Sequence, residues 1–64
     1  MTISSAPAYR WEQLRPGVWW GLYGEDHIGS IAEYGWRFRT RDAADVWLGD
    51  YPTLQMARTV LQRR

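Results

Sequence analysis

The chain has 64 residues, 45% of them hydrophobic, with eight basic residues, all Arg, against seven acids, one His and no Cys. At this length there is one domain, which buries only about 60% of the surface its unfolded chain exposes, so its stability has to come from close packing or from a partner. The absence of Cys excludes disulfides and thiolate metal sites, the lack of an apolar run of about 20 residues excludes a transmembrane helix, and a net charge of +1 with pI 8.2 falls short of the strongly basic balance that marks many nucleic-acid binders.

Residues 1–8 (MTISSAPA) are small and polar and read as a loose tail. "YRWEQLRPG" (9–17) reads either as one short helical turn or as an irregular arm, closed by Pro16 and Gly17, with Tyr9, Trp11 and Leu14 free to cover an end of the core. The expected division is therefore a partly flexible N-terminal arm over 1–16 and a single sheet-plus-helix domain over 17–64.

"VWWGLYG" (18–24) has the aromatic and branched composition of a strand, and "GED" (24–26) supplies a turn. "HIGSIAEY" (27–34) is a weaker strand in which Gly29 allows a bulge, and "YG" (34–35) forms the next corner. "WRFRTR" (36–41) alternates without a break: Trp36, Phe38 and Thr40 point one way, Arg37, Arg39 and Arg41 the other, as a strand with one dry and one wet face requires. "DAAD" (42–45) turns the chain into a short strand, "VWLG" (46–49), where Val46 and Leu48 facing inward put Trp47 on the arginine side.

"YPTLQMARTVLQRR" (51–64) reads as a helix capped by Thr53, with Leu54, Ala57, Val60 and Leu61 in one apolar stripe and Arg63 and Arg64 at the negative pole of the helix dipole. These elements predict an α+β domain: an antiparallel meander of three or four strands packed on one C-terminal helix. Trp36, Phe38, Val46, Leu48, Leu54, Ala57 and Leu61 are the expected core, joined by Val18, Trp20 and Leu22. The opposite face is expected to carry Arg37, Arg39, Arg41, Trp47, Trp19 and Tyr23.

"DVWLGDYPTLQMARTVLQ" (45–62) resembles the end of the plant ethylene-response-factor DNA-binding domain, with Val46, Trp47, Leu48, Gly49, Tyr51, Thr53 and Ala57 at matching positions. "GWRFRTRD" (35–42) is similar to that domain's middle strand and places Arg41 near a base-contacting arginine. Sheets of this kind backed by a helix also occur in integrase arm-binding domains and phage endonucleases. The resemblance implies a DNA-binding regulator of phage or mobile-element type, docking double-stranded DNA through Arg37, Arg39 and Arg41 with Trp47 on the sugars. The sequence departs from the plant family in its uncharged first strand and in Glu33 on the second, and Glu25, Asp26, Asp42, Asp45 and Asp50 stand in or beside turns where they repel phosphate.

The same ladder also reads as a solvated strand face paired by cross-strand acids such as Glu33, or as a docking face for a host protein or a second copy of the chain, since Trp and Arg are favoured at interface hot spots. His27 stands alone and lacks companions for zinc, and Glu25 and Asp26 are adjacent rather than opposed across a cleft. "GLYGEDHIG" (21–29) lacks the Lys-Ser/Thr of a phosphate loop. Met56 and Arg58 read as ordinary surface residues. The expectation is a cytoplasmic, non-enzymatic binding module without cofactor or metal.

Overall fold

A computed structural model describes residues 8–63. The elements are β1 (Tyr9–Arg15), β2 (Val18–Tyr23), β3 (Asp26–Tyr34), β4 (Arg37–Asp42), β5 (Trp47–Tyr51) and α1 (Leu54–Gln62). The strands form one antiparallel sheet in the order of the chain, and α1 lies on one face over β3, β4 and β5. The α+β class is as expected, but the sheet has five strands rather than three or four. The additional strand is β1, where neither a helical turn nor an irregular arm forms: Tyr9 and Trp11 alternate with Arg10 and Glu12, and the segment pairs along β2 from Tyr9↔Tyr23 to Gln13↔Trp19. The sheet therefore begins at Tyr9, not at residue 17. Residues 1–7 and Arg64, with the expectations attached to them, lie outside the described residues.

Ile31, Ala57 and Leu61 are the buried centre of the core, and Trp11, Trp19, Ile28, Phe38, Leu48, Tyr51 and Leu54 pack around them. Two glycines make this close approach of layers possible. A Cβ on Gly29 would meet the Arg41 carbonyl and stand 2.5 Å from Leu61 Cδ2, while one on Gly21 would stand 2.6 Å from the Trp11 ring. Because Gly21 and Gly29 are register partners beneath these groups, the helix-side residues of β2 are Trp19, Gly21 and Tyr23.

This reverses the expected orientation of the strand. Trp19 packs inward, its ring centroid 6.0 Å from that of Phe38, and Tyr23 lies on the same side, 4.8 Å from Tyr9, whose hydroxyl donates to the Gln62 carbonyl at 2.7 Å. Val18, Trp20 and Leu22 turn to the other face. Two more residues leave the expected core. Trp36 is 74% exposed because β3 and β4 close at Tyr34↔Arg37, which puts Gly35 (φ 62°) and Trp36 in the turn itself. Val46 is 55% exposed because the Asp42 carboxylate accepts from its amide and from that of Ala44, both at 2.9 Å, holding it in the β4–β5 turn.

The helix is fastened at both ends. Thr53 Oγ1 accepts from the Met56 amide at 3.1 Å, and the Arg63 amide donates back to the Thr59 and Val60 carbonyls. Arg58 is not an ordinary surface residue: its guanidinium carbon lies 5.4 Å from the centre of the Trp11 ring, tying α1 to β1. Thr40 is fully buried beneath the helix, and its hydroxyl has no hydrogen-bond partner among the described residues.

An unpaired buried hydroxyl costs about 1–3 kcal/mol, so Thr40→Val is expected to raise stability by roughly 1 kcal/mol, read as a higher urea midpoint with an unchanged slope. Gly29→Ala is expected to lower stability by roughly 1–3 kcal/mol or more in the same measurement, because the floor beneath Leu61 has no room for a methyl group.

Candidate binding face on the uncovered side of the sheet

The face of the sheet away from α1 has no second layer among the described residues. Strand register arranges its side chains in rows. Arg37 stands opposite Tyr34; Arg39 lies between Ala32 and Asp50; Arg41 lies between Ser30 and Trp47, with Trp20 and Glu12 continuing that row into β2 and β1. Successive ladder positions are roughly 6.5–7 Å apart, the two-residue repeat of a strand. Aromatic rings brace the cations: the Arg37 guanidinium sits 4.9 Å from the Trp36 ring, and that of Arg39 sits 4.6 Å from Tyr34. Trp20 and His27 stack at 3.6 Å with planes 8° apart, and the His27 Nε2–H donates to the Gly29 carbonyl at 2.9 Å.

Asp50 is the hub of this face. Its carboxylate accepts from the Trp47 indole N–H at 3.0 Å and pairs with Arg37 at 3.4 Å and with Arg39 Nε at 3.5 Å, and only 12% of its side chain is exposed. The Trp47 hydrogen bond, then the charges of Arg39 and Arg37, hold its carboxyl below the ordinary carboxylate range despite partial desolvation, which acts the other way. Arg41 pairs with Asp45 at 3.5 Å. Asp50 and Asp45 are thus acids that pair with the ladder. Glu33 is not one of them, because it stands opposite Phe38 in the register of the other face.

Of the residues singled out in the sequence, Arg37, Arg39, Arg41 and Trp47 come together here, with Trp47 59% exposed. Trp19 and Tyr23 do not: both belong to the helix side. Trp20, His27, Tyr34 and Asp50 join the face without having been expected there. Tyr34 was legible, since it lies an even number of residues from the Ala32 and Ser30 positions that oppose the ladder. Asp50 was not, because a one-residue irregularity between Thr40 and Arg41 sets which β5 residues meet β4.

What the arrangement offers is convergent donors for an oxyanion together with flat rings. Among the described residues no group of three or more His, Cys, Asp or Glu side chains is placed to hold a metal ion, and no helix is long and apolar enough to cross a membrane. An open groove of about 460 Å³ runs beside α1, lined by Tyr51, Thr53, Gln55, Met56, Thr59 and Val60, and brings no acid, base or cation together. Comparison of the chain with family models, curated proteins and solved structures gives no match, so the likeness to the plant domain rests on the residues quoted above.

A carboxyl with a lowered folded-state pKa stabilises the fold fully above its unfolded value, near 3.8, and loses that contribution as pH falls through the lowered one. Asp50 is therefore expected to titrate below its ordinary value of 3.8, as followed by carboxyl NMR. Asp50→Asn is expected to flatten the acid limb of the stability curve.

Proposed function

We propose that the protein is a non-enzymatic DNA-binding module that engages double-stranded DNA with the uncovered face of its sheet. The observation that carries this reading is the placement of three guanidinium groups at alternate positions of β4, beside an exposed Trp47, on the layer that α1 leaves open. Antiparallel strands are narrow enough to enter a major groove, where the planar Arg fork meets guanine edges or phosphate and a ring packs on sugar. The likeness of 35–62 to the plant domain supports the same docking face.

Asp50 shapes how such binding behaves. It holds Arg37 and Arg39 extended in the absence of a target, and a phosphate has to displace it to take both cations. Affinity is then modest and strongly salt-dependent: three or four neutralised phosphates give a slope of roughly −2.7 to −3.6 in log K against log salt. A protein partner is the second reading. It is favoured by the acids that offset each ladder arginine and by the Trp20, Tyr34 and Trp47 rings, since Trp, Tyr and Arg dominate interface hot spots.

Titration of a labelled duplex at low salt is expected to show association that fades as salt rises, weakened by Arg39→Ala with the fold intact by circular dichroism. The absence of any association at low salt removes the DNA reading. A partner whose binding persists at high salt and suffers more from Trp47→Ala than from Arg39→Ala establishes the second.

A further inference from the structure

The meander leaves β1 with an unpaired outer edge among the described residues. Which backbone groups point outward follows from the register. The Gly24 amide donates to the Ala8 carbonyl at 3.1 Å, one step beyond the pair Tyr9↔Tyr23. Antiparallel pairs alternate between those that exchange backbone hydrogen bonds and those that do not. Residues 8, 10 and 12 therefore direct their N–H and C=O groups to β2, and Tyr9, Trp11 and Gln13 direct theirs away from the sheet.

An exposed edge invites another strand unless it is short, bulged or covered. The β5 edge meets those conditions: it has five residues, its pairing shifts at Thr40/Arg41, and Pro52 leads it straight into α1. The β1 edge does not, because it runs regularly from Tyr9 to Gln13 and its only irregularity lies beyond, between Gln13 and Arg15.

We infer that β1 pairs with β1 of a second copy of the chain, antiparallel about a two-fold axis at Trp11, joining two sheets into one. Charge selects the occupant and the register. An axis at Arg10 sets arginine against arginine, and an axis at Glu12 sets glutamate against glutamate, both unfavourable for residues directly opposed. An axis at Tyr9 or Gln13 carries half of the strand past the end of its partner. The axis at Trp11 sets Arg10 of each copy against Glu12 of the other, twice. It also pairs every outward N–H and C=O of Tyr9, Trp11 and Gln13. Arg10 and Glu12 already lie 3.3 Å apart within one chain, both more than half or about half exposed, so their charges are available at the edge. The Trp11 ring leans inward over Gly21 and leaves that edge open.

The test is sedimentation equilibrium of the full chain across a wide concentration range. The mass is expected to rise from 7.6 kDa toward twice that value. Arg10→Glu and Glu12→Arg, made singly, each turn two attractive pairs into repulsive ones and are expected to weaken the association roughly tenfold or more, while the double exchange restores it. In the unaltered chain, hydrogen exchange at the Tyr9, Trp11 and Gln13 amides is expected to slow as concentration rises, a readout that does not depend on any variant folding. A 7.6 kDa mass at every concentration overturns the pairing, as does a dimer indifferent to the single reversals or a double exchange that fails to restore it. None of these outcomes depends on DNA binding.

Discussion

The layer between α1 and the sheet fixes everything else about this chain, because it can close only one way. Leu61 sits directly on the backbone of Gly29, Ala57 and Ile31 fill the space beside it, and Thr40 pairs with Ile31 under the same helix. A one-residue slip of β4 would bring guanidinium groups beneath α1 and expel Phe38, so burial pins the register. With Phe38 and Thr40 held inward, Arg37, Arg39 and Arg41 have no direction left but the uncovered face. The placement of the ladder is thus a consequence of core packing, and whatever the face binds, it presents the same three cations.

The strict alternation of 36–41 and the 3-4 spacing of Leu54, Ala57 and Leu61 are why β4 and α1 were legible from residue types. Each pattern has one solution once a single core exists. Val18–Tyr23 misled for an instructive reason. Counting apolar side chains puts Val18, Trp20 and Leu22 inside, yet the face that needs to be inside is the one with room on it. Gly21 supplies that room, and it is filled by a ring from β1 that periodicity in β2 alone does not announce. Trp36 and Val46 fell out of the core through turn geometry, as one residue of difference in where a hairpin closes moves a side chain from a strand face to a loop. At the site, Arg37, Arg39, Arg41 and Trp47 were readable from parity, whereas Asp50 depended on a local shift in pairing that no residue type signals.

Asp50 changes what the ladder means electrostatically. An unaccompanied row of three arginines on a small sheet would repel itself and attract anions over a distance set by the Debye length, about 8–10 Å at moderate salt. A carboxylate seated against two of them, and fixed by the Trp47 indole, shortens that reach and converts a diffuse positive patch into a set of short-range donors. Binding of an anion to such a face would be an exchange of one oxyanion for another. On the proposed function, such an exchange would favour a ligand that offers both an anionic group and a flat surface for Trp47, Trp20 or Tyr34 over one that offers charge alone.

Pairing through β1 has a geometric consequence for that face. The two ladders would be separated by seven inter-strand steps, and a sheet turns by about 20–25° at each step, so the two β4 strands end up rotated by roughly 140–175° relative to one another. Although the two-fold axis makes the helix-bearing faces of the two sheets continuous at the β1 seam, the helices lie over β3, β4 and β5 toward the ends, where the twist turns the two arginine faces in nearly opposite directions. Such a pair cannot lay both ladders along one straight partner. Avidity from simultaneous engagement of a single duplex is lost when geometry forbids it, and the proposed pair would instead carry two outward-looking sites, each binding with the strength of one chain and able to hold two partners together.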